Sequence, residues 1–160
     1  MSNVKLPETP AGIIIIGHQG DGPPYIWPWR GMSFHFYIPS HQMINATRLL
    51  QNANAIKDIF SIEYEVAKSS GFHDSPRQID TSLLLIVTEV AEVVEALRTG
   101  EQDIVSGSGK PEGPASELVD IFIRSKDTLL EVCGIEKAYN LYMLKMLYNM
   151  TRQLKHGKKF

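Results

Sequence analysis

The hydrophobic pattern changes near residue 40, and the two parts of the chain predict different structures. After this point apolar side chains recur every three or four residues, which is the spacing of amphipathic helices. Before it the chain holds six of its nine prolines, both tryptophans and the isoleucine run Ile13–Ile16. We therefore predict an irregular N-terminal arm over residues 1–40, with a possible short strand at the isoleucines, and a helical domain over residues 41–160.

Capping residues and glycines divide the helical part into four predicted helices. They span about residues 42–70, 82–99, 115–133 and 135–154, and the first three end next to a glycine. The second helix is apolar on almost every side, so we expect it to be buried on several sides, in a tight bundle or an oligomer. The Gly/Pro-rich segment 106–114 is predicted to be a flexible loop. The predicted fold class is all-α.

Length and composition narrow the class of protein. A chain of 160 residues with 43% hydrophobic residues has the size and apolar content of one folded domain. The single cysteine, Cys133, lies in an apolar stretch and predicts a small core residue, not a disulfide or a cysteine-rich zinc site. No apolar run is long enough to span a bilayer and no secretory signal is evident, so we expect no membrane association and a cytoplasmic location.

Five acidic residues on the second and third predicted helices form the main chemical feature. Glu89 and Glu92 are three residues apart, as are Glu117 and Asp120, so each pair projects from one helix face. Glu95 is equally consistent with a solvated position. Because Glu89 and Glu92 lie in the most apolar helix, unpaired charges there would be costly. We expect a metal or a distant basic element beside them, and opposed faces would form a four-carboxylate site.

The ligand types favour a hard divalent cation. All-oxygen donors suit Mg²⁺, with Mn²⁺ as a possible substitute, and no histidine follows the acids at the spacing of di-iron bundles. The C-terminal residues 141–160 carry five basic residues and no acids. On the last predicted helix, Lys145, Asn149 and Arg152 share a face. An acidic metal site with a basic segment suits a metal-chelated anion such as a nucleoside triphosphate.

The aromatic segment Tyr25–Arg30 allows two interpretations. The arm could cover the helical body or a neighbouring subunit, which we favour, or Trp27 or Trp29 could stack on a nucleobase. The net charge of −2 gives no overall basic field, so stable nucleic-acid binding is disfavoured.

Several segments together resemble a known family. Glu89-Val-Ala-Glu92, a 24-residue spacer and Glu117-Leu-Val-Asp120 resemble the ExxE…ExxD signature of the MazG-like all-α nucleoside triphosphate pyrophosphohydrolases. The segments Gly71–Arg77 and Lys145–Lys159 resemble the helix entry and the ending of small MazG-like proteins. The resemblance covers about residues 42–160. The longer loop 101–114 and the N-terminal arm depart from the family pattern.

The resemblance implies a four-to-five-helix bundle, assembled as a homodimer or tetramer, that cleaves the α–β phosphoanhydride of a (deoxy)nucleoside triphosphate. It implies that the four acids hold Mg²⁺ and that one glutamate, by preference Glu92 and otherwise Glu89, orients or deprotonates the attacking water. It further implies that basic and amide side chains contact the phosphates and the sugar, namely Lys145, Asn149, Arg152, Lys155 and Lys158. It also implies that Phe72 and Arg77 help form the base pocket.

Two alternatives stay open at this stage. Within the superfamily, the chain could be a phosphoribosyl-ATP pyrophosphatase-like enzyme, which the Phe72 region and the tail disfavour. From another class, it could be a non-catalytic helical module that binds nucleotides.

Overall fold

The computed structural model describes residues 13–17, 24–75 and 78–152, and this part of the chain is mostly helical. Its five α-helices are α1 (Met43–Gln51), α2 (Ala53–Ser69), α3 (Ile79–Thr99), α4 (Pro114–Cys133) and α5 (Ile135–Thr151). Its strands are β1 (Ile13–Ile16), β2 (Tyr25–Trp29), β3 (Met32–Phe36), β4 (Ile104–Val105) and β5 (Pro111–Glu112). The predicted helical class is confirmed in this coarse form, with short strands in addition.

The chain divides into two compact units. Unit 1 takes the described residues up to Ile56 and those from Tyr139 onward, and unit 2 is Lys57–Ala138. The N-terminal segment therefore shares a unit with α1 and most of α5.

The N-terminal segment is more regular than an arm with one possible strand. Unit 1 contains a three-stranded sheet of order β1-β3-β2, in which β1 is parallel and β2 antiparallel to β3. The β2–β3 hairpin turns through Arg30 and Gly31, both at positive φ, as a type I′ hairpin turn requires. The expectation of an irregular arm was wrong here, because aromatic residues alternate along β2 and β3 and give the sheet an apolar face.

That apolar face packs into the core of unit 1. Phe34 and Phe36 of β3 cluster with Ala46 of α1 and Leu147 of α5, and Tyr25, Trp27 and Trp29 pack around them. The Trp27 indole donates a hydrogen bond to Asn140 Oδ1 at 3.0 Å and meets the Tyr139 ring edge-on. The tryptophans therefore contribute to packing, in agreement with an arm that covers helices.

The first predicted helix, over residues 42–70, is interrupted. Asn52 leaves the helical conformation between α1 and α2, and its backbone N–H and side-chain Nδ2 both donate to the Arg48 carbonyl. Asparagine side chains compete for helix carbonyls in this way, and the apolar spacing on either side does not reveal the break.

The remaining helices agree with the prediction apart from their ends. α3 begins at Ile79, three residues before the predicted start, and ends at Thr99, followed by Gly100 in the left-handed conformation. α5 ends at Thr151, whereas its predicted end falls outside the described residues. The segment predicted as a flexible loop contains the β4–β5 ribbon, closed by a hydrogen bond from Ser106 N–H to the Lys110 carbonyl.

Two burial expectations are not met within one chain. In α3 only Ser82, Glu89, Val93 and Ala96 are buried, and most of its large apolar side chains are exposed. Cys133 is half-buried, so it is not a full core residue. Among the described residues, no helix combines the length and apolar character that crossing a bilayer requires.

Candidate functional site

Three of the four predicted acidic ligands meet in unit 2, where α3 packs against α4. Glu89 of α3 lies beside Glu117 and Asp120 of α4, and one carboxylate oxygen from each lies within 4.8 Å of the others. Glu89 is buried and the two α4 residues are half-buried. This separation allows one cation to contact all three carboxylates after small side-chain adjustments.

Local structure fixes the start of α4 and therefore the position of Glu117 in its first turn. Gly113 precedes the helix at φ 109°, and a Cβ there would lie 2.7 Å from the Gln102 carbonyl oxygen. Asp103 Oδ1 accepts a hydrogen bond of 2.8 Å from the Ala115 N–H and so satisfies one of the free amides at the helix start. The loop before α4 is thus specific in sequence despite its Gly/Pro content.

Glu92 stands at the edge of this group. It is exposed and is not one of the three residues whose oxygens cluster. Its charge nevertheless acts on Glu117, so the two carboxylates are close enough to repel each other. Its predicted role with the attacking water stays a prediction.

The pKa of Glu117 is raised above its ordinary value. Partial burial is the largest cause, followed by the negative charges of Glu92, Asp120 and Glu89 and by a hydrogen bond with the Glu89 side chain. A hydrogen bond between two carboxyl groups needs a shared proton, which like charges at close range favour. A divalent cation would neutralise the same repulsion.

A basic residue that the sequence reasoning missed lies at this site. Arg124 Nε lies 2.6 Å from Glu89 Oε1, so Glu89 has the distant basic partner that its burial requires. Arg124 follows Asp120 by four residues on the same face of α4, and this i,i+4 spacing was the available signal.

A cavity of about 300 Å³ in unit 2 adjoins the carboxylate group, with which it shares Asp120. Phe72, predicted to help form a base pocket, lies on its wall with 53% of its surface exposed. The cavity size is at the lower end of the range for small-molecule sites. Its walls come from α2, the segment after it, α3 and α4, and include Glu63, Val66, Ala67, Ser70, Ser82, Leu85, Ile123, Arg124, Asp127 and Thr128.

A second polar cluster in unit 2 was also missed. His73 lies between two acids of α4, with Nε2 at 2.9 Å from Asp127 Oδ1 and Nδ1 at 3.2 Å from Glu131 Oε1. All three side chains are largely buried, and Ser82 Oγ donates to Glu131 Oε2 at 3.3 Å. Asp127 and Glu131 are one turn apart, but sequence alone does not connect them with His73 in a loop.

The predicted phosphate-binding residues lie outside unit 2 or outside the described ranges. Lys145, Asn149 and Arg152 belong to unit 1, where Asn149 lines an open groove of about 520 Å³ together with Arg48. Arg77, Lys155 and Lys158 lie outside the described residues, so their predicted roles stay predictions.

Searches of protein-family models, of curated proteins and of solved structures found no match to this chain.

Proposed function

We propose that this chain is a Mg²⁺-dependent (deoxy)nucleoside triphosphate pyrophosphohydrolase of the MazG-like kind. The observation that carries the proposal is the convergence of Glu89, Glu117 and Asp120 beside a cavity of about 300 Å³. In the proposed reaction, water attacks the α-phosphorus, and the bond from this phosphorus to the bridging oxygen breaks. The products are a nucleoside monophosphate and pyrophosphate.

The donor set fits a hard divalent cation because every ligand is a carboxylate oxygen. When bound, Mg²⁺, or Mn²⁺ in its place, would supply charge neutralisation for the phosphates. Arg124 would hold Glu89 in position, and the exposed carboxylate of Glu92 would orient the water or accept its proton.

The remaining contacts of the proposed enzyme follow from the sequence resemblance, and Phe72 also lies on the cavity wall. Phe72 would stack on the base, with Arg77 contributing to the same pocket. Phosphate and sugar contacts are assigned by resemblance to Lys145, Asn149, Arg152, Lys155 and Lys158.

The proposed enzyme is a homodimer or tetramer. Along α3 five of the seven exposed large apolar side chains are spaced alternately by four and three residues, which is the spacing of a helix–helix seam. They are Leu83, Val87, Val90, Val94 and Leu97. A second copy of the chain presents the same stripe, so two α3 helices can bury it against each other. We expect Val90→Glu to dissociate the oligomer in light-scattering measurements, whereas Thr88→Glu, an exposed position away from the stripe, should leave it assembled.

A pyrophosphate-release assay tests the activity. Purified protein with Mg²⁺ is incubated with each common ribo- and deoxyribonucleoside triphosphate, and products are separated by anion exchange. We expect monophosphate and pyrophosphate from at least one substrate, with ¹⁸O from labelled water found on the monophosphate. Glu117→Gln should lower kcat by at least about 100-fold, whereas Glu65→Gln, an exposed acid outside the site, should not. Folded protein that hydrolyses none of these substrates would contradict the proposal.

A second candidate, a non-catalytic nucleotide-binding module, is favoured by one contact. Arg124 already supplies positive charge to Glu89 at 2.6 Å and so reduces the need for a metal. This module would bind triphosphates with and without Mg²⁺ and return them unchanged. A separate assay with phosphoribosyl-ATP as the substrate tests the other enzymatic alternative.

A further inference from the structure

The cavity of unit 2 has a polar wall that the proposed reaction at the carboxylates does not use. We propose that this wall selects nucleobases that carry an exocyclic amino group, and that Asp127 is the specificity-determining residue. The inference rests on the proposed function, because it assigns the base-binding part of the same site.

The wall of the cavity on α4 carries three charged side chains in successive turns. Asp120 belongs to the carboxylate group, Arg124 pairs with Glu89, and Asp127 is next along this face. A triphosphate chelated at Asp120 would therefore have its base directed along α4 towards Asp127. Phe72 and Leu85 give the same cavity apolar surface on which a ring can pack.

Asp127 is held as a hydrogen-bond acceptor. Its Oδ1 contacts His73 Nε2 at 2.9 Å, while Glu131 faces the other ring nitrogen at 3.2 Å. Both contacts are hydrogen bonds only when both ring nitrogens carry protons, so the imidazole then adds one positive charge to two negative ones. The group retains a net negative charge, and Asp127 Oδ2 has lone pairs to accept a further hydrogen bond.

Glu63, the third acid among these cavity residues beside Asp120 and Asp127, differs from Asp127 in its partner. It forms an ion pair with the buried ammonium of Lys126, which also lies over the rings of Phe60 and Phe122. One cation therefore balances one carboxylate at Glu63, whereas a single imidazole ring lies between two carboxylates, Asp127 and Glu131. The excess acceptor capacity lies at Asp127.

This chemistry discriminates between nucleobases. Cytosine, adenine and guanine each carry an amino group that can donate to a carboxylate. Uracil and thymine carry a carbonyl oxygen where cytosine has its amino group, and this oxygen would face the negative carboxylate without a proton between them. A hydrogen bond to a charged group that only one of two ligands can make corresponds to a preference of roughly 10- to 100-fold.

Two substrate pairs test this with minimal change in shape. The kcat/KM values for dCTP and dUTP, and for dGTP and dITP, are compared in the wild type, in Asp127→Asn and in Glu65→Gln as a charge-matched control on the exposed surface of α2. We expect the wild type to prefer the amino-bearing member of each pair by about tenfold or more. Asp127→Asn should bring the ratios close to one, because a carboxamide can either donate or accept, and Glu65→Gln should retain the wild-type ratios.

A binding measurement keeps the test independent of hydrolysis and of the variant's folding. Wild-type protein in EDTA is titrated with deoxycytidine and with deoxyuridine and followed by NMR. Tighter binding of deoxycytidine supports the inference, and equal or weaker binding contradicts it. Hydrolysis of every triphosphate with ratios near one in the wild type would overturn this inference alone. Failure to hydrolyse any triphosphate would overturn the proposed function.

Discussion

The ion pair between Arg124 and Glu89 gives the sharpest test of the site, because one partner is buried and the other is accessible. In Arg124→Met the aliphatic stem is largely retained and the charge is lost. The side chain of Glu89 is 7% exposed, so its carboxylate would be left without its basic partner in a poorly solvated position. We expect the substitution to destabilise the metal-free protein.

The magnitude follows from burial. Removing one partner of a fully buried ion pair costs about 3–5 kcal/mol. Because Arg124 is 34% exposed, water screens part of the interaction, and we expect a loss of about 2 kcal/mol in the free energy of unfolding. Arg98→Met is the matched control, because Arg98 pairs with Glu95 at the surface: Nη1 lies 3.9 Å from Oε2, and the side chains are 77% and 66% exposed. This substitution should lower the free energy of unfolding by at most about 0.5 kcal/mol.

Urea unfolding followed by circular dichroism, in EDTA at pH 7 and at one protein concentration, measures these differences. The same substitution in a Glu89→Gln background should cost less than about 1 kcal/mol, because the carboxylate is then absent. Saturating Mg²⁺ should restore much of the stability of Arg124→Met if a cation binds Glu89. An equal loss in both backgrounds would refute the electrostatic reasoning and indicate that Arg124 acts through packing.

Three further predictions concern the core, the carboxylates and the sheet. Leu147→Ala should lower the free energy of unfolding by about 2–5 kcal/mol because Leu147 is fully buried, whereas Leu141→Ala, at a partly exposed position, should cost clearly less in the same urea titration. Because the pKa of Glu117 is raised in the folded state, its contribution to stability is present below the ordinary value of 4.5 and is lost as the pH rises through the raised pKa. In EDTA, the Tm of Glu117→Gln should therefore increase relative to that of the wild type as the pH rises through the raised pKa. Curves of Tm against pH that stay parallel for the two proteins would contradict this. Trp27→Phe should cost about 1 kcal/mol through loss of the hydrogen bond to Asn140, measured as a shift in urea midpoint, and a smaller shift in an Asn140→Ala background would confirm the pairing.

Parts of the site could be predicted because they are properties of a single helix. Glu117 and Asp120 share a face of α4 by their three-residue spacing alone, and the glycine after α3 marks its end. The contact of His73 with Asp127 could not be predicted in this way, because it joins a loop to a helix distant in sequence.

The structure of the N-terminal segment could also be predicted only in part from its sequence. Its prolines correctly excluded a long helix, and the run at Ile13–Ile16 correctly suggested a strand. The strand Tyr25–Trp29 contains Pro28, which weakens any prediction of a strand from sequence. It forms because it is an edge strand of the sheet and because Trp27 and Trp29 pack against the unit 1 core.

Periodicity and capping act over a few residues, so they were enough to locate α3, α4 and most of α5 and to show which carboxylates share a helix face, but not to reveal the break at Asn52. Tertiary packing, in contrast, brings Glu89 to Glu117 and Asp120 and gives it Arg124 as its partner. It also decided that the apolar stripe of α3 is exposed in one chain, so that the burial expected of this helix is left to a second copy in our proposal. These outcomes depend on how α3 and α4 pack, and contacts between distant segments are set by the whole core and not by the local pattern of either helix.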